Sequence, residues 1–274
     1  MDDMYNDVKL TAVALLTLMI STVSPLAAAE RVRIGGTGSA IGTMQMMADA
    51  YQKVRPDVSV EVIPALGSGG GIKAVAAGVL NIGLSGRPLK PAERAQNLNQ
   101  LEFARTPLVF ASLKPYPGLT LAQVVQIYDG TISTWPDGST VRLVIRPESD
   151  SETTLLRAIS PEMNQALTVA HTRAGLHTAM TDPDMADALE KVPGSIGSST
   201  LALILSENRL IKPIPLNGIV PSVSTIKNGT YPYTKPLYLV TSAALTPDAR
   251  DFIQYMKSKA GIKLLLRNGY LVLD

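Results

Sequence analysis

Two periodicities alternate along this chain: short stretches with apolar residues at every second position, and longer ones with apolar residues three or four apart. Arg31–Ile34 shows the first and predicts a strand, as do Val58–Ile63 and Asn81–Ser85. Residues 40–54 show the second, with Ile41, Met44, Met47, Ala48 and Tyr51 on one face, and predict a helix. Further helices are predicted at Gly71–Ala77 and at Pro91–Leu98, the latter with proline at its start. This β-α-β-α order argues for a mostly parallel sheet covered by helices, an α/β fold. A second unit follows. It has helices at Leu119–Tyr128 (Thr120 as N-cap), Glu152–Ile159, Pro161–Val169 and Asp182–Val192, and strands at Val141–Ile145, Ser195–Ser199 and Ile211–Leu216. Strand Pro236–Thr241 and helices Pro247–Ser258 and Gly261–Asn268 close the chain. Two apolar stretches, near 105–112 and 233–241, read as paired crossings between two lobes, one of residues 30–106 plus 235–274 and the other of 107–234.

The start of the chain has a different pattern. Lys9, a largely apolar run from Leu10 to Val23, Pro25 and three alanines before Glu30 predict a cleavable export signal over residues 1–29, cut after Ala29. The run suits a signal segment and is short for a membrane span. The chain of 274 residues has a formal net charge of +2. Loss of the signal removes one base and three acids, so the remainder is more basic. Its Lys and Arg are not clustered, which argues against nucleic acid as a partner. With no cysteine there is no disulfide, no thiolate metal site and no lipid-anchored cysteine. An exported, cysteine-free chain fits a periplasm.

Candidate chemistry lies in three segments that each lead into a helix: Gly35–Gly42 (GGTGSAIG), Gly67–Lys73 (GSGGGIK) and Arg146–Thr153 (RPESDSET). Glycine allows close backbone approach, and the first amides of a helix lack internal partners, so such starts suit anions. Three of them suggest one small anion gripped from several sides. Other chemistry is poorly supported. Gly38-Ser39 lacks the nucleophile-elbow spacing, the first segment lacks the downstream acid of a dinucleotide site, and Lys73 follows Ile72 and precedes Ala74, unlike a phosphate-binding P-loop. His171 and His177 are too far apart for a helical metal pair. No catalytic set, cofactor or metal is expected. Trp135 and the Met44/Met46/Met47 group read as packing.

Several motifs, in order and at matching spacing, carry a resemblance. They are Gly67–Ala74, Asn81–Leu89, Ile127–Trp135, Pro193–Gly197, Asn217–Ser222 and Tyr231–Tyr238. Through them the chain resembles the periplasmic phosphate-binding proteins of bacterial ABC-type phosphate uptake systems over nearly all of its length after the signal. The resemblance implies a two-lobed periplasmic-binding-protein-like (type II) fold with a two-strand hinge. It also implies a monomer that closes on phosphate or a similar oxyanion and presents the closed form to an inner-membrane ABC permease. Carried over residue by residue, the site would take Ser39 and the Ala40 amide, the Ser68 hydroxyl and the Gly69 amide, and Arg146 with the residues through Thr153, including Glu148, Ser149 and Ser151.

The departures from the family pattern bear on the ligand. Where many members carry an aspartate after the serine, Ser85 is followed here by Gly86 and Arg87, and Arg87 is itself a candidate ligand contact. The third segment has lost its glycines and gained three acids. Two registers stand for it. One puts Glu148 at the family's acidic position, where it would accept the proton of hydrogen phosphate and disfavour sulfate; the other aligns on Ser151. A carboxylate about 4 Å from an anion opposes it by roughly 4 kcal/mol at an effective dielectric near 20, so an inward Asp150 would weaken phosphate binding. Glu152 reads as a helix-dipole residue. The remaining alternatives are a same-fold binder of another anionic solute, a secreted sensory or adhesive protein, and a phosphate-ester hydrolase.

Overall fold

A computed structural model describes residues 31–64 and 66–273; the segment expected to be an export signal, and its expected cut site, lie outside them. The first elements are β1 (Arg31–Gly36), α1 (Ile41–Gln52), β2 (Ser59–Val62), α2 (Gly67–Ala76), β3 (Ile82–Ser85), α3 (Pro91–Arg94) and the long β4 (Leu98–Ser112). Next come α4 (Leu121–Asp129), β5 (Arg142–Ile145), α5 (Ser151–Arg157), α6 (Pro161–Thr172), β6 (His177–Thr178), α7 (Asp182–Lys191) and β7 (Ser195–Thr200). The rest are α8 (Leu201–Ser206), β8 (Lys212–Pro213), α9 (Val223–Lys227), β9 (Thr234–Ser242), α10 (Pro247–Met256), α11 (Lys259–Arg267) and β10 (Leu271–Val272).

Helix boundaries follow local chemistry. Thr120 caps α4 by accepting from the Gln123 amide while the Gln123 side chain accepts from the Thr120 amide, and Gly130 ends the helix in the left-handed conformation at φ 90°. Pro161 and Pro183 stand in the first turns of α6 and α7, where a missing N–H costs nothing.

The fold is two-lobed, and its sheet order is β2-β1-β3-β9-β4-β7-β5-β6. β1 pairs in parallel with β2 and β3, and β5 pairs in parallel with β6 and β7. Between these sets run β4 and β9, paired antiparallel from Leu98↔Ser242 to Pro107↔Thr234. The expected mostly parallel sheet is therefore mixed, because the strands that cross between lobes run antiparallel to each other and to their neighbours β3 and β7.

One core gathers Val32, Ile34, Met44, Met47, Tyr51, Leu239 and Phe252; another gathers Leu108, Phe110, Val124, Trp135, Leu143 and Leu167. Trp135 stacks on Tyr116 with ring centroids 3.8 Å apart and donates its indole N–H to the Gly194 carbonyl at 2.9 Å. Burial of each large apolar side chain contributes about 1.5–3 kcal/mol, which holds both cores without disulfides.

Several elements differ from the sequence expectation: α2 begins at Gly67 rather than Gly71, the strand expected at Ile211–Leu216 shrinks to β8, and the short β6, α9 and β10 were not predicted. The helix predicted to reach Leu98 stops at Arg94: Asn97 is left-handed at φ 55° and Leu98 already pairs with Ser242. Helix α8 was not expected. It buries Ala202 and Leu203 right after β7.

Candidate functional site

A cleft of about 470 Å³ opens between the start of α2 and the turn that leads into α5. One wall carries Ser68, Gly69, Lys73, Arg87 and Lys90; the facing wall carries Ser149, Asp150 and Ser151. The chain enters α2 through Gly67, whose φ of +70° suits glycine. The walls meet at the inner end, where the Ser68 and Ser151 hydroxyls lie 3.2 Å apart. The Gly86 amide donates to Ser68 Oγ at 2.9 Å.

Of the residues singled out in the sequence, the cleft brings together Ser68, Gly69, Arg87, Ser149 and Ser151. The others lie elsewhere. Ser39 is buried, its hydroxyl 3.1 Å from that of Thr37, and the Ala40 amide donates to the Thr37 carbonyl. Thr153 is buried and donates its hydroxyl to the Pro147 carbonyl at 2.9 Å, a turn-closing bond. Glu148 corrects the expectation of an inward proton acceptor. Its side chain is 71% exposed and pairs with Arg157 at 3.0 Å, because its position in the turn points it at α5's outer face. Arg87 lines the cleft, but its fork is taken by Glu93 in two bonds of 2.8 and 2.7 Å. That pairing holds the Glu93 carboxyl below the usual carboxylate range.

Arg146 is buried beneath the α5 turn. Its guanidinium donates to the Ala179 carbonyl at 2.9 Å and to Asp150 Oδ2 at 2.8 Å, while its Nε has no partner. Asp150 also caps α5, accepting from the Glu152 amide at 2.8 Å. An internal carboxylate thus sits where the resemblance would put an oxyanion: on the arginine and at a helix start.

Behind the serines lies a cluster not expected from the sequence. Lys235, buried on β9, donates to Glu152 Oε2 at 2.9 Å and to Asp182 Oδ1 at 2.5 Å. Ser198 donates to Glu152 Oε1, and the Thr37 hydroxyl reaches Asp182 Oδ2 at 3.5 Å. Glu152 is thus a buried ion-pair partner rather than a helix-dipole residue. Desolvation alone would lift both carboxyls. It prevails at Glu152, which Asp182 and Asp150 also repel, so its pKa is raised. At Asp182 the attraction of Lys235 and then Arg146 prevails and holds the carboxyl low. Burial would lower the lysine's pKa, but Asp182 and Glu152 outweigh it and push the pKa up.

This cluster explains Gly86. A Cβ there would lie 2.9 Å from Lys235 Cε and 3.5 Å from both serine hydroxyls, so the lysine stem fills the space a side chain would need. Gly86→Ala is expected to cost about 1–3 kcal/mol by overpacking, read as a lower urea midpoint. An unchanged midpoint would show that the stem yields freely. Among the described residues no group of three or more His, Cys, Asp or Glu could hold a metal, and no helix is long and apolar enough to cross a membrane.

Comparison with known proteins places this geometry. Phosphate-binding protein PstS 2 of Streptococcus agalactiae is 33% identical over 107 residues, 39% of this chain and 36% of that relative, so the match spans about a third of its length. Protein SphX of Synechococcus elongatus is 25% identical across 94% of this chain and 83% of its own. A solved Clostridium perfringens structure with bound phosphate, named for a phosphate ABC transporter substrate-binding protein, superposes with a TM-score of 0.77 at 23% identity. It covers 89% of this chain and 100% of that one, a likeness of fold. The PBP superfamily domain matches residues 22–260, through both lobes and both walls of the cleft, and the chain belongs to that superfamily.

Proposed function

We propose that this chain is an exported, periplasmic solute-binding protein that captures an oxyanion, inorganic phosphate first, and presents its closed form to an inner-membrane ABC permease without chemistry. The observation that carries the reading is the meeting of Ser68 and Ser151 from opposite walls at the cleft's inner end. An anion seated beside them would touch both walls only when the lobes are closed, so binding selects closure. The lobes are taken as 30–106 plus 235–274 and 107–234. Support comes from the division of the apolar cores near Leu108 and Leu237, although Ala202 of α8 packs with the first core. The phosphate named for the Streptococcus and Clostridium relatives supports the choice of ligand.

Asp150, on the cleft wall, takes the proton-accepting role that Glu148 does not fill. Each of its oxygens accepts one bond and keeps a lone pair for the O–H of hydrogen phosphate, which sulfate lacks.

Calorimetric titration of ligand-stripped protein is expected to give phosphate binding without a sulfate response. Ser68→Ala is expected to weaken phosphate at least about tenfold, the loss of one hydrogen bond to a charged group. Its thermal midpoint should fall by only a few degrees, because the buried Gly86 amide loses its acceptor while the fold is kept. Folded protein that ignores phosphate and binds a protein partner instead would favour the sensory or adhesive reading.

A further inference from the structure

The cleft is larger than its inner end requires. Its volume of about 470 Å³ falls in the range of roughly 300–1,000 Å³ that holds small organic ligands, whereas an inorganic oxyanion has only five heavy atoms. Its mouth is not uniformly polar. Leu66 on one wall and Met180 on the other are 44% and 65% exposed, and both line the same opening. Single exposed apolar residues are ordinary, but two that line one charged cleft from opposite sides form a place for an apolar body.

Charge narrows the head group. Arg87 is spent on Glu93, Arg146 on Asp150, and Lys235 on Glu152 and Asp182. Lys73 and Lys90 line the cleft and make no ion pair among the described residues. They favour an anion, while Asp150 opposite them opposes any head that has no proton to donate. Phosphate monoesters lose their second proton near pH 6. A carbon-linked phosphonate holds that proton more tightly, because it lacks the electron-withdrawing ester oxygen. It therefore still carries the proton on much of its population at neutral pH.

We propose that the cleft takes a monoprotonated organophosphonate, its head between Lys73, Lys90 and Asp150 and its organic body between Leu66 and Met180. This rests on the oxyanion reading and names the substrate class within it. The test is titration of the full chain with phenylphosphonate, phenyl phosphate and inorganic phosphate at pH 7 and pH 6. Phenylphosphonate is expected to bind at least tenfold tighter than inorganic phosphate at pH 7. Phenyl phosphate is expected to gain severalfold on going to pH 6. The double variant Leu66→Ser, Met180→Ser should lose the phenylphosphonate advantage and keep its affinity for inorganic phosphate within twofold. If inorganic phosphate binds as tightly as phenylphosphonate, or the double variant keeps the advantage, the inference is overturned and the oxyanion reading stands. If folded protein binds none of the three, both fall.

Discussion

Replacing Lys235 with methionine is expected to lower stability by about 3–5 kcal/mol at neutral pH, the cost of stranding buried carboxylates without their counter-charge. In a chain of this size that is a fall of roughly 6–20 °C in the thermal midpoint. Glu152 and Asp182 are almost fully buried, and both rely on the lysine ammonium. The pH dependence gives a second readout. In the parent, Asp182 is held below its ordinary value, so its contribution is present above the ordinary aspartate range and is lost as pH falls through the depressed folded value. Glu152 is raised, so it opposes folding as pH climbs from the ordinary glutamate range through its folded value. Removal of the lysine lifts both carboxyls. The deficit of the variant should therefore be largest at pH 7 and shrink toward pH 4, where the acids can protonate. Urea midpoints at the two pH values check this. The triple variant Lys235→Met, Glu152→Gln, Asp182→Asn should recover most of the loss, because no buried charge remains unpaired. A single variant as stable as the parent at pH 7 would show that the three groups carry no net load.

Much of the architecture was legible because it is local. The alternation in Arg31–Ile34, the helical spacing of Met44, Met47 and Tyr51, and the cap at Thr120 each depend on residues within one or two turns, and each element formed. What failed depended on distant partners. The segment after Arg94 has helix formers, but it is drawn into β4 by pairing with β9, more than a hundred residues later. Leu201–Ser206 is a short apolar run in which periodicity cannot separate helix from strand.

The site divides in the same way. Ser68 and Gly69 were legible as cleft residues from the glycines and serine that lie together there, although α2 begins at Gly67, four residues before the predicted start. Lys235 was not: within TYPYTKPLY it reads as an exposed strand lysine, and only the fold sets it beside Glu152 and Asp182, 83 and 53 residues away. Arg146 was read as a ligand fork because nothing local says that Asp150, four residues on, will turn back onto it. The usable signal was the acid count itself. A charged segment entering a buried helix start must pair internally, because isolated buried charges are costly.

Asp150→Asn is expected to admit sulfate, on the order of a hundredfold tighter than in the parent. The carboxylate lines the cleft, and at about 4 Å in an effective dielectric near 20 it opposes a facing anion by roughly 4 kcal/mol per unit charge. A hundredfold gain uses about 2.7 kcal/mol of that, allowing for solvent in an open cleft. Asparagine keeps the size and the N-cap acceptor, so α5 should stay intact. It also leaves Arg146 with its charge no longer neutralised. Phosphate should respond far less, because it loses a proton acceptor and a repulsion together. The parent's selectivity for phosphate over sulfate should therefore collapse without a matching loss of phosphate affinity. Paired titrations of parent and variant with both anions measure this directly. If sulfate binding rises less than twofold, Asp150 does not face the bound anion, and selectivity would have to come from the buried carboxyls behind the serines, of which Glu152 takes a proton most readily.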